Sequence, residues 1–302
     1  MACLIAAPKS GSGKTLLSLV LTSWARSKGI SIQPFKVGPD YLDSQLLSLV
    51  SQNPCRNLDL ILCGKEWVKD SFYEYGAKTD FTLVEGVMGL FDGKGSTSEG
   101  SSADIAKKLQ LPVVLIIDAH GQAASIAPLI KGFRDQDPNL TITGVVLNNV
   151  NSLRHKELLK EVLDSIKVKL LGFLPTSEIL RIKSRHLGLR PAHEIQDIDR
   201  EKAGWAKIAE CNLDLQAFEK LLQSPTSSKN LIKERMEVLK EVSNNNNNKI
   251  QMALADDKAF HFRYPETKEF LEAIGFEILS WKPTENEIIP ISSKGVLIPG
   301  GF

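Results

Sequence analysis

Short apolar, β-branched runs alternate with helix-compatible stretches along most of the chain. The runs are Cys3–Ala6, Ile32–Val37, 81–84, 113–117, 143–147 and 170–173. Helical patterns fall between them at 16–27, 103–109, 123–133 and 154–166. Strand followed by helix, repeated, predicts right-handed βαβ units and an α/β fold with a doubly wound, mostly parallel sheet. In such sheets ligands bind beyond the carboxyl ends of the strands, so the polar residues after each run are the ones that matter. The pattern breaks at Gln223. A turn-rich Gln-Ser-Pro-Thr-Ser-Ser leads, through a possible-helix pattern at 231–242, to five consecutive asparagines at 244–248, which have little to bury. The expected organisation is a first domain at 1–222, a linker at 223–249 and a second α/β segment at 250–302. That last segment reads as strand Ile250–Ala255, helix 267–274, strand 276–280 and strand 295–298. About fifty residues are too few for an independent α/β domain, so the expectation is that it opens a larger fold.

The strongest chemical signal follows the first strand. Ala7-Pro-Lys-Ser-Gly-Ser-Gly-Lys-Thr15 lies between an apolar run and a helix, the setting that a phosphate-binding loop requires. Ser10, Gly11, Ser12 and Gly13 would turn the backbone so that its N–H groups face one oxyanion. Lys14 would add a cation on the β/γ-phosphates, and Thr15 a hydroxyl for Mg²⁺. Pro8 replaces the usual first glycine, and Lys9 stands where partitioning ATPases carry a second lysine. After the second run, Lys36-Val-Gly-Pro-Asp-Tyr-Leu-Asp43 presents Lys36, Asp40 and Asp43. Asp40 is the favoured metal carboxylate, while Asp43 is equally well read as a helix cap. Glu85 ends the third run and opens a glycine-rich loop that closes with Asp92-Gly93. A carboxylate at that strand tip suits a second metal contact. Asn148, after the 143–147 run, could pair with a purine edge or serve as a turn residue, as could Asn149. Asp118 ends another strand as a secondary group or a cap.

Composition narrows the classes. The chain of 302 residues has a formal net charge of +1 and no basic block, which argues against nucleic acid as the main ligand. No apolar run approaches the ~20 residues of a membrane span, and no secretory signal is visible. Cys3, Cys55, Cys63 and Cys211 form no CxxC pair and read as reduced thiols of a cytoplasmic protein. The histidines, His120, His155, His186, His193 and His261, show no paired spacing, so no histidine metal site is expected.

Taken in order, these segments resemble the cobyrinic acid a,c-diamide synthase family. The resemblance rests on the 10–15 loop, Gln33-Pro-Phe-Lys-Val-Gly-Pro-Asp-Tyr41, Asn57-Leu-Asp59, Val84-Glu-Gly-Val-Met-Gly-Leu-Phe-Asp-Gly93, Gly144-Val-Val-Leu-Asn148 and Arg185-His-Leu-Gly-Leu189. Segments 260–265 and 297–301 continue it. It implies a P-loop NTPase fold of dethiobiotin synthetase type, then the start of a class I glutamine amidotransferase domain. The implied reaction is ATP-dependent amidation of the a and c acetates of a corrin through acyl phosphates, with Mg²⁺ and with ammonia drawn from glutamine. Lys14, Lys36, Asp40 and Glu85 would be catalytic, with Thr15, Asp40 and Glu85 around the metal. Tyr41, Leu42 and Asp92 would face the corrin. The family's amidotransferase cysteine and histidine lie beyond residue 302, so only the synthetase half is expected in these residues. Related readings are cobyric acid synthase, a nickel-sirohydrochlorin diamide synthase, or a partitioning-type ATPase suggested by Lys9. Homodimerisation is left open.

Overall fold

A computed structural model describes residues 2–180, 184–185, 188–189, 197–226, 231–243 and 249–301. The chain divides into two compact units, Met1–Thr226 and Ser227–Phe302. The asparagine tract 244–248 and residues His186, Leu187 and His193 lie outside the described residues.

The first unit alternates strand and helix from its start. In chain order it contains β1 Cys3–Ala6, α1 Lys14–Ser27, β2 Ile32–Val37, α2 Tyr41–Ser51, β3 Arg56–Leu58, α3 Gly64–Gly76 and β4 Phe81–Glu85. It continues with α4 Ser102–Leu109, β5 Val113–Asp118, α5 Ile126–Asp135, β6 Ile142–Asn148, α6 Leu153–Ser165 and β7 Leu170–Leu174. Two short antiparallel strands, β8 Ser184–Arg185 and β9 Gly188–Leu189, precede α7 Ile198–Asn212 and α8 Leu215–Leu221. Strands β1 to β7 form one sheet in the order β3-β2-β4-β1-β5-β6-β7, and every pairing in it is parallel.

Burial on both faces explains the continuous apolar runs. In β1, Leu4 and Ala6 join one core, whereas Cys3 and Ile5 join the other. Phe72 of α3, Ile105 of α4, Ile130 of α5 and Leu159 of α6 complete the first core. Leu17 of α1, Leu46 of α2, Trp205 of α7 and Phe218 of α8 complete the second. Trp205 also donates from Nε1 to the Ile179 carbonyl at 2.8 Å. From β1 the chain leaves toward β2, and from β4 it crosses β1 to reach β5. The loops after β1 and β4 therefore diverge, and the crevice between them is the switch point where α/β sheets place ligands. Gln223 bridges to Phe81, and Ser224 Oγ lies 2.8 Å from Thr82 Oγ1, so the first residues of the expected linker are laid against β4 in this unit.

The second unit contains α9 Leu231–Ser243, β10 Ile250–Ala255, α10 Pro265–Ala273, β11 Phe276–Trp281 and β12 Gly295–Leu297. Its three strands are parallel in the order β11-β10-β12. Pro at the first position of α10 fits there because that N–H has no helical partner. The two motif segments 260–265 and 297–301 meet in an antiparallel bridge between Phe262 and Gly300.

Phe218 is fully buried in the second core. Phe218→Ala is expected to lower the unfolding free energy of the first unit by about 3–5 kcal/mol. Urea unfolding followed by tryptophan fluorescence measures it; a loss well under 1 kcal/mol would show that α8 is not part of that core.

Candidate functional site

The loop from Pro8 to Gly13 is built by two left-handed glycines, Gly11 at φ 78° and Gly13 at φ 113°. Gly13 caps α1, and no side chain closes that helix end. The first amide groups of α1 are thus left to face an anion, with the helix dipole behind them. Ser12 Oγ donates to the Lys9 carbonyl at 3.0 Å, and Asn148 Nδ2 donates to the Ser12 carbonyl at 3.0 Å. A Cβ at position 13 would stand 2.6 Å from Asn148 Nδ2, so glycine is required there. Lys14 is buried, and its ammonium donates to the Met88 carbonyl at 2.5 Å. Burial depresses its pKa and nearby Lys36 lowers it further, against the pull of Glu85, Asp43 and Asp40.

Beside the loop stands a charge cluster drawn from β2, α2 and β4. Lys36 Nζ lies 2.5 Å from Asp43 Oδ2, 2.8 Å from Glu85 Oε1 and 3.4 Å from Asp40 Oδ2. Thr15 Oγ1 joins the same carboxylates, 2.7 Å from Glu85 Oε1 and 3.1 Å from Asp43 Oδ2. Burial opposes the Lys36 charge, but the three carboxylates outweigh it and its pKa is raised. Asp43 is half-buried and desolvation pushes its pKa up, yet the Lys36 ammonium holds its carboxyl down at about 2. Glu85 goes the other way. Its burial dominates the same attraction and pushes its pKa up to about 7. Its Oε2 is buried with no hydrogen-bond partner.

The structure brings together Lys14, Thr15, Lys36 and Glu85, and it exchanges the two aspartates. Asp40 is the N-cap of α2 and accepts the Asp43 N–H at 3.1 Å, while Asp43 makes the short contact with Lys36. By residue type either aspartate could cap the helix or face the site, and the path of α2 puts Asp40 at the cap. Ser10 and Lys9 are exposed on the loop, and Ser12 is buried. Asn148 uses its amide on protein atoms at both ends, since its Oδ1 accepts the Asn149 N–H at 3.0 Å. These contacts tie the phosphate loop to the end of β6. Asn149 reaches Asp118 Oδ1 at 2.9 Å. Tyr41 is half-buried, with its phenol pKa raised by burial and then by Asp59 and Cys63. Leu42 is buried, and exposed Asp92 accepts the Gly89 N–H at 2.8 Å, which shapes the loop after β4. Met88, at φ 48°, is the contributor that sequence reasoning missed, because it acts through its carbonyl.

Among the described residues, no three His, Cys, Asp or Glu side chains are arranged to hold a metal ion. Mg²⁺ bound with phosphates needs only one or two protein oxygens. The Thr15 hydroxyl, the Asp43 carboxylate and the orphaned Glu85 Oε2 are hard oxygen donors of the right kind.

Glu85 and Asp43 shift in opposite directions, so they give opposite pH signatures. A raised carboxyl pKa contributes stability below its unfolded value that is lost as pH rises through the folded value; for Glu85 that window runs from 4.5 to about 7. Asp43 contributes above 3.8 and loses its share as pH falls toward about 2. Glu85→Gln is therefore expected to gain stability relative to the parent across the Glu85 window and to stay level above it. Urea titrations on either side of that window check this, and a pH-independent difference would show that Glu85 is not held up by burial.

The family model for the CobQ/CobB/MinD/ParA nucleotide binding domain matches residues 3–189. The cobyrinate a,c-diamide synthase of Caldanaerobacter subterraneus subsp. tengcongensis is 40% identical over 99% of this chain and 64% of its own length. That of Synechococcus sp. is 37% identical over 100% of this chain and 65% of its own. The hydrogenobyrinate a,c-diamide synthase of Streptomyces coelicolor is 36% identical over 99% and 67%. The chain spans just under two thirds of the length of the first two. With its phosphate loop on β1 and this run of relatives, the chain belongs to the CobQ/CobB/MinD/ParA nucleotide-binding family and is akin to the a,c-diamide synthases within it.

Proposed function

We propose that this chain carries the ATP-dependent synthetase step of a tetrapyrrole a,c-diamide synthase, with cobyrinic acid as substrate. One observation carries the reading: groups from three strand tips, Lys14 and Thr15 after β1, Lys36 on β2 and Glu85 on β4, meet beside an uncapped helix N-terminus. This is the equipment for moving a phosphoryl group, where catalysis is positioning and charge neutralisation.

A carboxylate resists ammonia because its carbon is electron-rich and oxide is no leaving group. In the proposed sequence a substrate acetate oxygen attacks the γ-phosphorus, ADP departs, and an acyl phosphate forms. Ammonia then adds to the acyl carbon, and phosphate leaves with the C–O bond electrons and takes up one proton from the nitrogen, giving the amide and hydrogen phosphate. The α1 amides and Lys14 would hold the β/γ-phosphates, and a phosphate there would replace the Met88 carbonyl as the partner of Lys14. Lys36 would face the transferring oxygens while Asp43 and Glu85 keep it charged and fixed. Thr15 with Glu85 and Asp43, and Asp40 close by, would hold Mg²⁺, which supplies charge neutralisation when bound. Tyr41 and Asp92 would border the acetate. Ammonia is the nitrogen donor in this reading, and glutamine would supply it through an amidotransferase domain that 250–302 begins.

The test is incubation with ATP, Mg²⁺, ammonium and cobyrinic acid, with hydrogenobyrinic acid in parallel because a relative carries that name. ADP and phosphate are expected in step with a diamide seen by mass spectrometry. ATP turnover indifferent to both acids would overturn the proposal. Lys14→Ala is expected to cut turnover by at least about 10²-fold, as removal of a preorganised charge-stabilising group does. A near-parental rate in that variant would remove Lys14 from the phosphate site.

A further inference from the structure

A cavity of about 640 Å³ lies on the first unit between the loop after β4 and one face of α5. Its volume is in the range of small-molecule sites, roughly 300–1,000 Å³. Phe91 and Phe133 form its aromatic wall, with ring centroids 5.7 Å apart and planes inclined by 21°. Leu129 extends the apolar surface, and Thr97 and Gln136 stand on the lining as polar groups. The wall is preformed. Thr97 Oγ1 donates to the Lys94 carbonyl at 2.8 Å, and Lys94 N–H donates to the Glu99 carbonyl at 2.9 Å, so the 94–99 turn is closed on itself.

Gly132 is the second observation. It lies inside α5, where glycine is the poorest residue after proline, and it lines the cavity. A Cβ added there would meet nothing within 4 Å, and its φ is not left-handed. Neither the backbone nor the packing of this chain calls for glycine at that position. The missing side chain leaves floor space in front of the two phenylalanines. The same loop carries Met88, the partner of Lys14, three residues before Phe91, and Asp92 directly after it. One short stretch of chain therefore joins the cavity's aromatic wall to the loop that holds the phosphate site.

We infer that this cavity seats the apolar ring face of the tetrapyrrole substrate against Phe91, Phe133 and Leu129, with Gly132 kept small to admit it. The inference rests on the proposed function for the identity of its ligand. A flat macrocycle matches stacked aromatic rings, and the one charged side chain on the lining, Asp137, is an anion paired with Lys107 at 2.8 Å, so it offers the carboxylate rim no partner and leaves it to turn toward Lys14 and Lys36.

The experiment measures cobyrinic acid binding by the change in its visible absorbance, and ATP binding with a fluorescent analogue, in the parent, Gly132→Ala and Gly132→Leu. Gly132→Ala should melt no lower than the parent, since it improves the helix and meets no neighbour. Gly132→Leu should bind cobyrinic acid at least about tenfold more weakly, the scale on which added methylenes discriminate in a pocket. ATP affinity should be unchanged in both variants. Parental cobyrinic acid affinity in Gly132→Leu would overturn the cavity assignment while leaving the proposed function standing. A parent chain that binds neither cobyrinic nor hydrogenobyrinic acid would overturn both. A dimer that Gly132→Leu dissociates, with tetrapyrrole affinity intact, would assign the cavity to a second copy and overturn the inference.

Discussion

A charged lysine buried at the tip of a strand is the constraint on which the site is built. Lys36 is 1% exposed, and an ammonium in that place is tolerable only when surrounded by opposite charge. Asp43 from α2 and Glu85 from β4 supply it, with the Gly86 carbonyl 3.2 Å away as a further acceptor. Satisfying one cation thus pins β2, the start of α2 and the end of β4 to a single point, and Thr15 ties α1 to the same carboxylates. Removing one partner of such a buried pair typically costs about 3–5 kcal/mol, so the arrangement is rigid before any ligand arrives.

Rigidity is not the same as full satisfaction. Glu85 keeps a buried oxygen without a partner, and Met88 holds a left-handed backbone that a non-glycine residue adopts at some cost. Both defects border Lys14, whose ammonium is itself depressed by burial. Local cost concentrated in one crevice marks a functional site, and in a nucleotide-binding domain it lies where the phosphates would sit.

Much of this was legible in the residues. Six of the seven strands of the large sheet show as apolar runs, and the glycine-lysine-threonine turn announces its own strand and helix. The exception, β3, reads Arg56-Asn57-Leu58, and nothing in that triplet resembles a strand. It is buried because distant groups satisfy it: Arg56 lies over the Tyr75 ring at 3.4 Å, and Asn57 Nδ2 donates to the Gly38 carbonyl at 2.7 Å. Tertiary partners of that kind leave no periodicity to read. The exchange between Asp40 and Asp43 has the same origin. Both suit a cap or a metal, and only the path of α2 decides which one turns inward. Asn148 was visible as a strand-end amide, but its partner is a loop carbonyl far back in the chain.

That last contact has a consequence for how the protein is made. Asn148 and Ser12 are 136 residues apart, and the loop's shape depends on their hydrogen bond. The phosphate-binding turn, translated before β6, therefore cannot be finished until β6 has been made and docked beside β5. Contacts of such long range close late, after local helices and neighbouring strands have formed. Competence to hold nucleotide should then trail secondary structure during refolding, with a nucleotide-analogue signal lagging far-ultraviolet ellipticity, and a nascent chain shorter than its sixth strand would carry the motif without the ability to use it.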